Sequence, residues 1–330
     1  MSKRNSPVLE PTTRAFIDAV VAQGGKPLSE LSYPDARKVL EDLQANTKVT
    51  KLPADIEEKV LPVGPTGEVP VRIYRPKGAA GPLPVVMYFH GGGWILGSKN
   101  THDRLLRDLV NGTNAAFVFV SYTPSPEAQY PVPIEQAYAA TKYIAEHGKE
   151  FNLDVSRLAL AGDSVGGNMT AVVAQLANVR GGPELQYQVM FYPVTDASMS
   201  QASHHEFADG PWLTRATMSW MWDAYAPNRE DRKQSTASPL NATTDQLKGQ
   251  PPALLIVDEN DILRDEGEAY ARKLLEAGVE VTSLRVIATF HDFALLNPLA
   301  ETPATRLAIE LASEKLSEAL SSQTRKEAAA

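Results

Sequence analysis

The chain has 330 residues, 43 % of them hydrophobic and 22 % charged, with a formal net charge of −8. That is enough apolar chain for one large core or two domains, and the mixed, net-acidic charge argues against a nucleic-acid partner. The absence of cysteine excludes disulfides, thiolate chemistry and cysteine metal sites; no apolar run reaches membrane-spanning length and no h-region follows the first residues, so the expected setting is cytoplasmic, with no membrane partner.

Residues 1–50 read as two amphipathic helices, Pro11 to Gln23 and Tyr33 to Gln44, separated by the breaker Gly24-Gly25-Lys26-Pro27. Ile56 to Val63 and Glu68 to Tyr74 flank the turn Gly64-Pro65-Thr66-Gly67 and read as a hairpin. Pro84 to Phe89 is a continuous apolar run, suited to a strand buried on both faces, and leads into His90-Gly91-Gly92-Gly93-Trp94. A helix over His102 to Val110, a strand over Ala115 to Tyr122, a proline-rich loop and a helix over Ile134 to His147 follow. Arg157 to Ala161 is a short buried strand. Gly162-Asp163-Ser164-Val165-Gly166 and a helical run to Val179 come directly after it, and Gln186 to Tyr192 is the next strand.

Residues 198–232 break the alternation. Phe207, Trp212, Trp220, Trp222 and Tyr225 make this insertion strongly aromatic, and Thr214 is a candidate N-cap for its helix. Strand Ala253 to Val257, helix Asp265 to Ala277, strand Val279 to Ile287 and helix Thr302 to Leu320 then complete the pattern, ahead of a tail over Ser321 to Ala330 expected to fray. The reading is an α/β protein with a mostly parallel sheet of about eight strands flanked by helices. It divides into N-terminal helices (1–50), a first core segment (51–197), an insertion (198–232) and a second core segment (233–330). The insertion and the N-terminal helices are candidates for a helical cap.

Strand, Gly-x-Ser-x-Gly, helix is the context of a nucleophile elbow, in which a serine sits on a turn so tight that neighbouring Cβ atoms collide. A serine hydroxyl needs a base to take its proton, and on such a scaffold acid and base follow the nucleophile in the chain. Of the six histidines, His90, His102 and His147 precede Ser164, and His204 and His205 lie in the insertion. His291 stands in a loop between a strand and the last helix, where a base must hang over the sheet. The acid is one of the cluster after strand Ala253 to Val257. Asp265 is a helix N-cap there, and spacing leaves Asp258 and Asp261 both open. The backbone N–H of Val165 and the glycine loop after the strand ending at Phe89 are the expected oxyanion donors, with His90 as an anchor of that loop. No His-Glu-x-x-His or comparable metal cluster stands in the chain.

His90-Gly91-Gly92-Gly93-Trp94, Gly162-Asp163-Ser164-Val165-Gly166-Gly167, Asp261-Ile262-Leu263-Arg264-Asp265-Glu266-Gly267 and His291-Asp292-Phe293 together resemble the hormone-sensitive-lipase-like, bacterial family IV esterases of the α/β-hydrolase superfamily. The likeness covers nearly the whole chain. It implies a carboxylesterase acting on short- to medium-chain acyl esters without cofactor, with Ser164, Asp261 and His291 as triad, and so settles the acid on Asp261. It also implies Gly92 and Gly93 with Val165 as oxyanion amides, and support from His90, Asp163 and Glu127. Trp94, Phe207, Trp212 and Trp222 are the candidates for a substrate pocket. Three departures stand out. Val165 replaces alanine beside the oxyanion site, Asp292 replaces glycine next to the base, and Tyr122 to Glu127 differs from the usual supporting loop. The same triad also serves amidases, lactonases and acyltransferases, and relatives that lost a triad member are ligand receptors. Family relatives are often homodimers through the edge corresponding to Val279 to Ile287.

Overall fold

All eight expected strand segments form strands, and their lengths follow from what each pairs with. The computed structural model describes residues 7–321, so most of the tail expected to fray lies outside the described residues. The strands are β1 (Ala54–Leu61), β2 (Val69–Pro76), β3 (Leu83–Phe89), β4 (Ala116–Val120), β5 (Leu153–Asp163), β6 (Gln188–Phe191), β7 (Ala253–Asn260) and β8 (Val281–Phe290). They lie in one eight-stranded sheet in the order β1-β2-β4-β3-β5-β6-β7-β8. β1 pairs with β2 as the expected antiparallel hairpin and β2 with β4 antiparallel; from β4 through β3 to β8 every pairing is parallel.

The helices are α1 (Pro11–Gln23), α2 (Tyr33–Asn46), α3 (Asp103–Thr113), α4 (Val132–His147), α5 (Val165–Val179), α6 (Ala202–Glu206), α7 (Arg215–Tyr225), α8 (Thr244–Leu247), α9 (Arg264–Glu276) and α10 (Pro303–Leu320). β3 and β4 are buried along almost their whole length, as parallel strands covered on both faces must be. α5 follows the same rule, with every residue from Val165 to Ala177 buried. α3 packs on α10, and α5 lies against α4, β5 and β6. Among the described residues, no helix is long and apolar enough to cross a membrane.

Several boundaries differ from expectation, and two of those differences lie beside the candidate site. β7 continues past Val257 to Asn260, because a register shift between Asp258 and Asn260 lets Asn260 pair with Phe290. Such a bulge re-aims the side chains that follow it, so Asp258 lies within the strand rather than at its end. Asp265 is not the N-cap of α9. The helix starts at Arg264 with Leu263 in the capping position, because the Asp261 carboxylate accepts the Leu263 N–H at 3.1 Å and carries the turn forward. Asp265 instead accepts the Ser203 N–H at 2.8 Å, tying α6 to α9.

The insertion meets the N-terminal helices through rings. Phe16 packs on Trp212 with centroids 5.5 Å apart, and Tyr33 stacks on Trp220 at 5.3 Å. Thr214 caps α7 as expected, accepting the Thr217 N–H at 3.1 Å.

Candidate active site

Ser164 sits where β5 turns into α5, with φ 55° and ψ −119°. A residue other than glycine pays about 1–3 kcal/mol to hold such a backbone. The turn is closed too tightly for side chains on either side. A Cβ on Gly162 would stand 2.3 Å from the Gly166 carbonyl oxygen, and one on Gly166 would stand 1.9 Å from that of Phe89. The result projects the serine hydroxyl above the carboxyl ends of the strands, at the N-terminus of α5.

His291 follows directly on β8, and Asp261 directly on β7. These strands are neighbours, so the two side chains meet although 30 residues separate them. His291 Nε2 lies 3.0 Å from Ser164 Oγ, and its Nδ1 lies 2.8 Å from Asp261 Oδ2. The other Asp261 oxygen is occupied by the Leu263 N–H. All three residues are buried, and the Tyr192 ring packs edge-on against the imidazole at 4.9 Å. The carboxylate therefore accepts from Nδ1–H, leaving the Nε2 lone pair for the serine proton.

Two further carboxyls crowd this imidazole. Asp292 Oδ1 is 3.5 Å from His291 Nε2, and its Oδ2 accepts the Trp212 indole N–H at 3.1 Å. Asp258 is fully buried, and neither of its oxygens has a hydrogen-bond partner in the structure. Burial, then the charges of Asp261 and Asp292, push the Asp258 pKa well above its ordinary value, against its charged form. Burial also raises Asp292, against the pull of His291 beside it. Burial alone would lower His291; the Asp261 and Asp292 carboxylates outweigh it and hold the imidazole at a pKa of about 9. One ligand atom each from Asp258, Asp261 and His291 lies within 4.8 Å of the others. Sequence motifs gave no sign of such a cluster. Within it, Asp261 and His291 are already engaged with each other.

The glycine loop after β3 is pinned peptide by peptide. Gly91 N–H donates to Asp163 Oδ1 at 3.0 Å, and the His90 carbonyl accepts from Tyr122 Oη at 2.9 Å. The Gly91 carbonyl lies 2.9 Å from His90 Nδ1, and burial pushes the His90 pKa down to about 3, keeping the ring neutral. The Gly92 carbonyl accepts the N–H groups of Ile95 and Leu96 at 3.1 and 2.7 Å. Peptide units are planar and trans, with C=O and N–H pointing in opposite directions. Anchoring the carbonyls of Gly91 and Gly92 therefore turns the amides of Gly92 and Gly93 away from the anchors. Gly92 and Gly93 have φ of 107° and 64°, conformations that a side chain resists. The Val165 N–H, in the first turn of α5, has no acceptor within its helix.

Of the other expected residues, Glu127 forms a two-pronged ion pair with Arg37 of α2 at 2.8 and 2.6 Å. Arg37 also donates to the carbonyls of Ile95 and Ser125, so Glu127 helps fasten the N-terminal helices to the glycine loop. Trp212 reaches the triad's neighbourhood through Asp292. Trp94 and Trp222 are fully buried, with Trp94 stacked 3.9 Å from Tyr225 and tilted against Trp222 at 4.7 Å; both belong to the hydrophobic core. Phe207 is half-buried beneath the Arg264 guanidinium, 5.1 Å from its ring centroid.

Sequence reasoning missed Arg37 and the buried pair His204–Glu266, at 2.6 Å. No local signal announces them, since each partner comes from a distant part of the chain. A separate cavity of about 700 Å³ opens near the other end of the sheet, lined by Arg157, Tyr187, Pro252, Glu280 and Lys315 among others. It holds neither the elbow nor the histidine, whereas ligands of open α/β sheets bind at the strands' carboxyl ends.

A family model described as an alpha/beta hydrolase fold matches residues 86–295. A carboxylesterase, NlhH, of Mycobacterium tuberculosis is 40 % identical over 252 residues, 74 % of this chain and 78 % of its own. An ethyl acetate hydrolase of Pseudomonas putida is 33 % identical over 306 residues, 89 % of this chain and 94 % of its own. The crystal structure of a thermostable esterase from Pseudomonas putida superposes with a TM-score of 0.94 at 51 % identity, covering 96 % of this chain and 99 % of that one.

Proposed function

The chain belongs to the α/β hydrolase fold family, and from that premise we propose that it is a carboxylesterase in which Ser164, His291 and Asp261 form the catalytic triad. The observation that carries the assignment is the unbroken line Ser164 Oγ, His291 Nε2, His291 Nδ1, Asp261 Oδ2, at 3.0 and 2.8 Å.

Ser164 Oγ attacks the acyl carbon of the ester while its proton passes to His291 Nε2. The carbonyl π electrons move onto the acyl oxygen, which becomes an oxyanion held by the amides of Val165, Gly92 and Gly93. Asp261 stabilises the imidazolium and keeps Nδ1 protonated. The carbonyl then re-forms, the bond to the alcohol oxygen breaks, and His291 returns its proton to that oxygen. Water repeats the sequence on the acyl-enzyme and frees the acid and Ser164. Asp258 is not the triad acid on this reading, because it makes no hydrogen bond to His291.

The substrates are small carboxylic esters of short to medium acyl chain, as in the hormone-sensitive-lipase-like esterases. Helices α1 and α2, with residues 198–232, form the cap, a reading supported by the ring contacts Phe16–Trp212 and Tyr33–Trp220. Edge strand β8, with Ile287 71 % exposed, is the surface for pairing with a second copy; light scattering that returns a monomer would reject this. Hydrolysis of p-nitrophenyl esters from acetate to palmitate, with Ser164→Ala alongside, tests the function. The expected result is activity falling with acyl length and absent in the variant; persistent turnover in the variant would reject Ser164.

A further inference from the structure

His102 precedes the nucleophile in the chain and lies outside the triad, yet it is fully buried at the start of α3, close behind the glycine loop. Its Nε2 faces Asp163 Oδ2 at 3.3 Å, and its Nδ1 faces Thr101 Oγ1 at 2.8 Å and the Ser98 carbonyl at 3.3 Å. A carboxylate oxygen only accepts, so Nε2 must carry the proton. The ring is walled by Tyr88, His90 and Phe119, with centroids 6.3, 5.5 and 6.0 Å away.

Asp163 is the residue before Ser164. Its Oδ1 accepts from Tyr88 Oη at 2.7 Å and from the Gly91 N–H at 3.0 Å. One fully buried carboxylate thus spans two pieces of the oxyanion hole: the elbow, which carries the Val165 amide, and the glycine loop, which carries those of Gly92 and Gly93. The fit is close, since a Cβ on Gly91 would stand 2.3 Å from Asp163 Oδ2. With only Oδ1 engaged, the carboxylate could roll about its Cβ–Cγ bond and release Gly91. Donation to Oδ2 from the opposite side prevents that roll. Burial pushes Asp163 towards its neutral form, but His102 and then Tyr88 more than offset it and hold its pKa below the usual value.

We propose that His102 is a positioning residue for ester hydrolysis: its Nε2–H locks Asp163 so that Gly91 and the oxyanion amides following it stay aligned with the elbow. The proposal rests on the esterase reading for its kinetic consequence, but not for its hydrogen bond. His102→Leu keeps an apolar volume and removes the donor. His102→Gln restores an N–H at a similar reach.

The test measures kcat, KM and inhibition by an alkyl trifluoromethyl ketone, which Ser164 converts to a tetrahedral oxyanion adduct. For His102→Leu we expect kcat to fall roughly 10- to 100-fold, below the loss for deleting a whole oxyanion donor. KM should stay within about threefold, and ketone affinity should fall by the same factor as kcat. His102→Gln should stay within about threefold of the parent in all three. Unchanged kcat in a folded His102→Leu protein overturns the proposal. So does an equal loss in both variants, which would make the ring's packing responsible.

Should His102→Leu fail to fold, the parent protein labelled with ¹⁵N-histidine decides. An exchange-protected Nε2 proton on His102, assigned with His102→Gln, supports the lock, and an unprotonated Nε2 refutes it. If the parent hydrolyses no ester, the esterase reading fails, while the spectrum still judges the hydrogen bond.

Discussion

Asp292 stands beside the base where the resembling family has glycine, and replacing it with asparagine should move the pH dependence of catalysis. Asparagine tolerates the φ of 69° at this position, and its amide oxygen can still accept the Trp212 indole N–H. The substitution therefore removes charge and little else. A unit charge 3.5 Å from His291 Nε2 is worth about 5 kcal/mol at an effective dielectric near 20. That is ample to help raise the imidazole to about 9. The base works only when Nε2 is unprotonated, so the acidic limb of kcat/KM follows the imidazole in the free enzyme. With the limb at about pH 9, only about 1 % of the enzyme holds a free base at pH 7. Asp292→Asn should shift the limb to lower pH and raise kcat/KM at pH 7, with about 100-fold as the ceiling. The gain falls short of that ceiling to the extent that burial already holds Asp292 neutral, since a neutral carboxyl exerts no pull. The assay is kcat/KM for p-nitrophenyl butyrate between pH 5 and 10, read at the isosbestic wavelength, with thermal unfolding as control. An acidic limb that stays in place or moves up, in a variant of unchanged melting temperature, would refute the reasoning.

Asp261→Asn should lower kcat by about 10⁴, because His291 loses the acceptor that fixes its tautomer. Asp258→Asn should leave kcat within about threefold, since Asp258 makes no hydrogen bond to His291 and burial works against its charge; the reverse ranking in steady-state assays would exchange the two roles. Gly93→Ala should cost roughly 10- to 100-fold in kcat/KM, because its Cβ would stand 2.1 Å from Met221 Sδ on a backbone with φ of 64°. Adding Met221→Ala should recover only the part due to collision, and full recovery would show that backbone strain is irrelevant. Trp222→Ala should destabilise the protein by about 3–5 kcal/mol, as it empties the stack beside Trp94 and Tyr225; chemical denaturation that shows less than about 1 kcal/mol would contradict its place in the core.

Features whose cause is local are legible in the residues themselves. A strand that alternates with helices in apolar runs, a serine between glycines at a strand-to-helix turn, and a glycine loop directly after a buried strand all follow from sterics within a few residues. Each appears where the chain order put it. The histidine could be chosen because a base has to follow a strand end, and His291 follows Phe290, the last residue of β8.

Only the tertiary structure decided the features that depend on which distant groups share a small buried volume. Spacing left Asp258 and Asp261 equivalent until a resemblance favoured Asp261. The bulge between Asp258 and Asn260 supplies the physical distinction, burying one carboxyl without partners and turning the other onto His291. The same holds for the surroundings of Trp94 and Trp222, both fully buried, with Trp94 stacked on Tyr225 and tilted against Trp222. Arg37 reaching Glu127 across 90 residues, and His102 reaching Asp163 across 61, leave no periodic trace. Steric demands on one turn of backbone are written in the residues of that turn, whereas a hydrogen bond between distant side chains exists only once the sheet has brought its strands side by side.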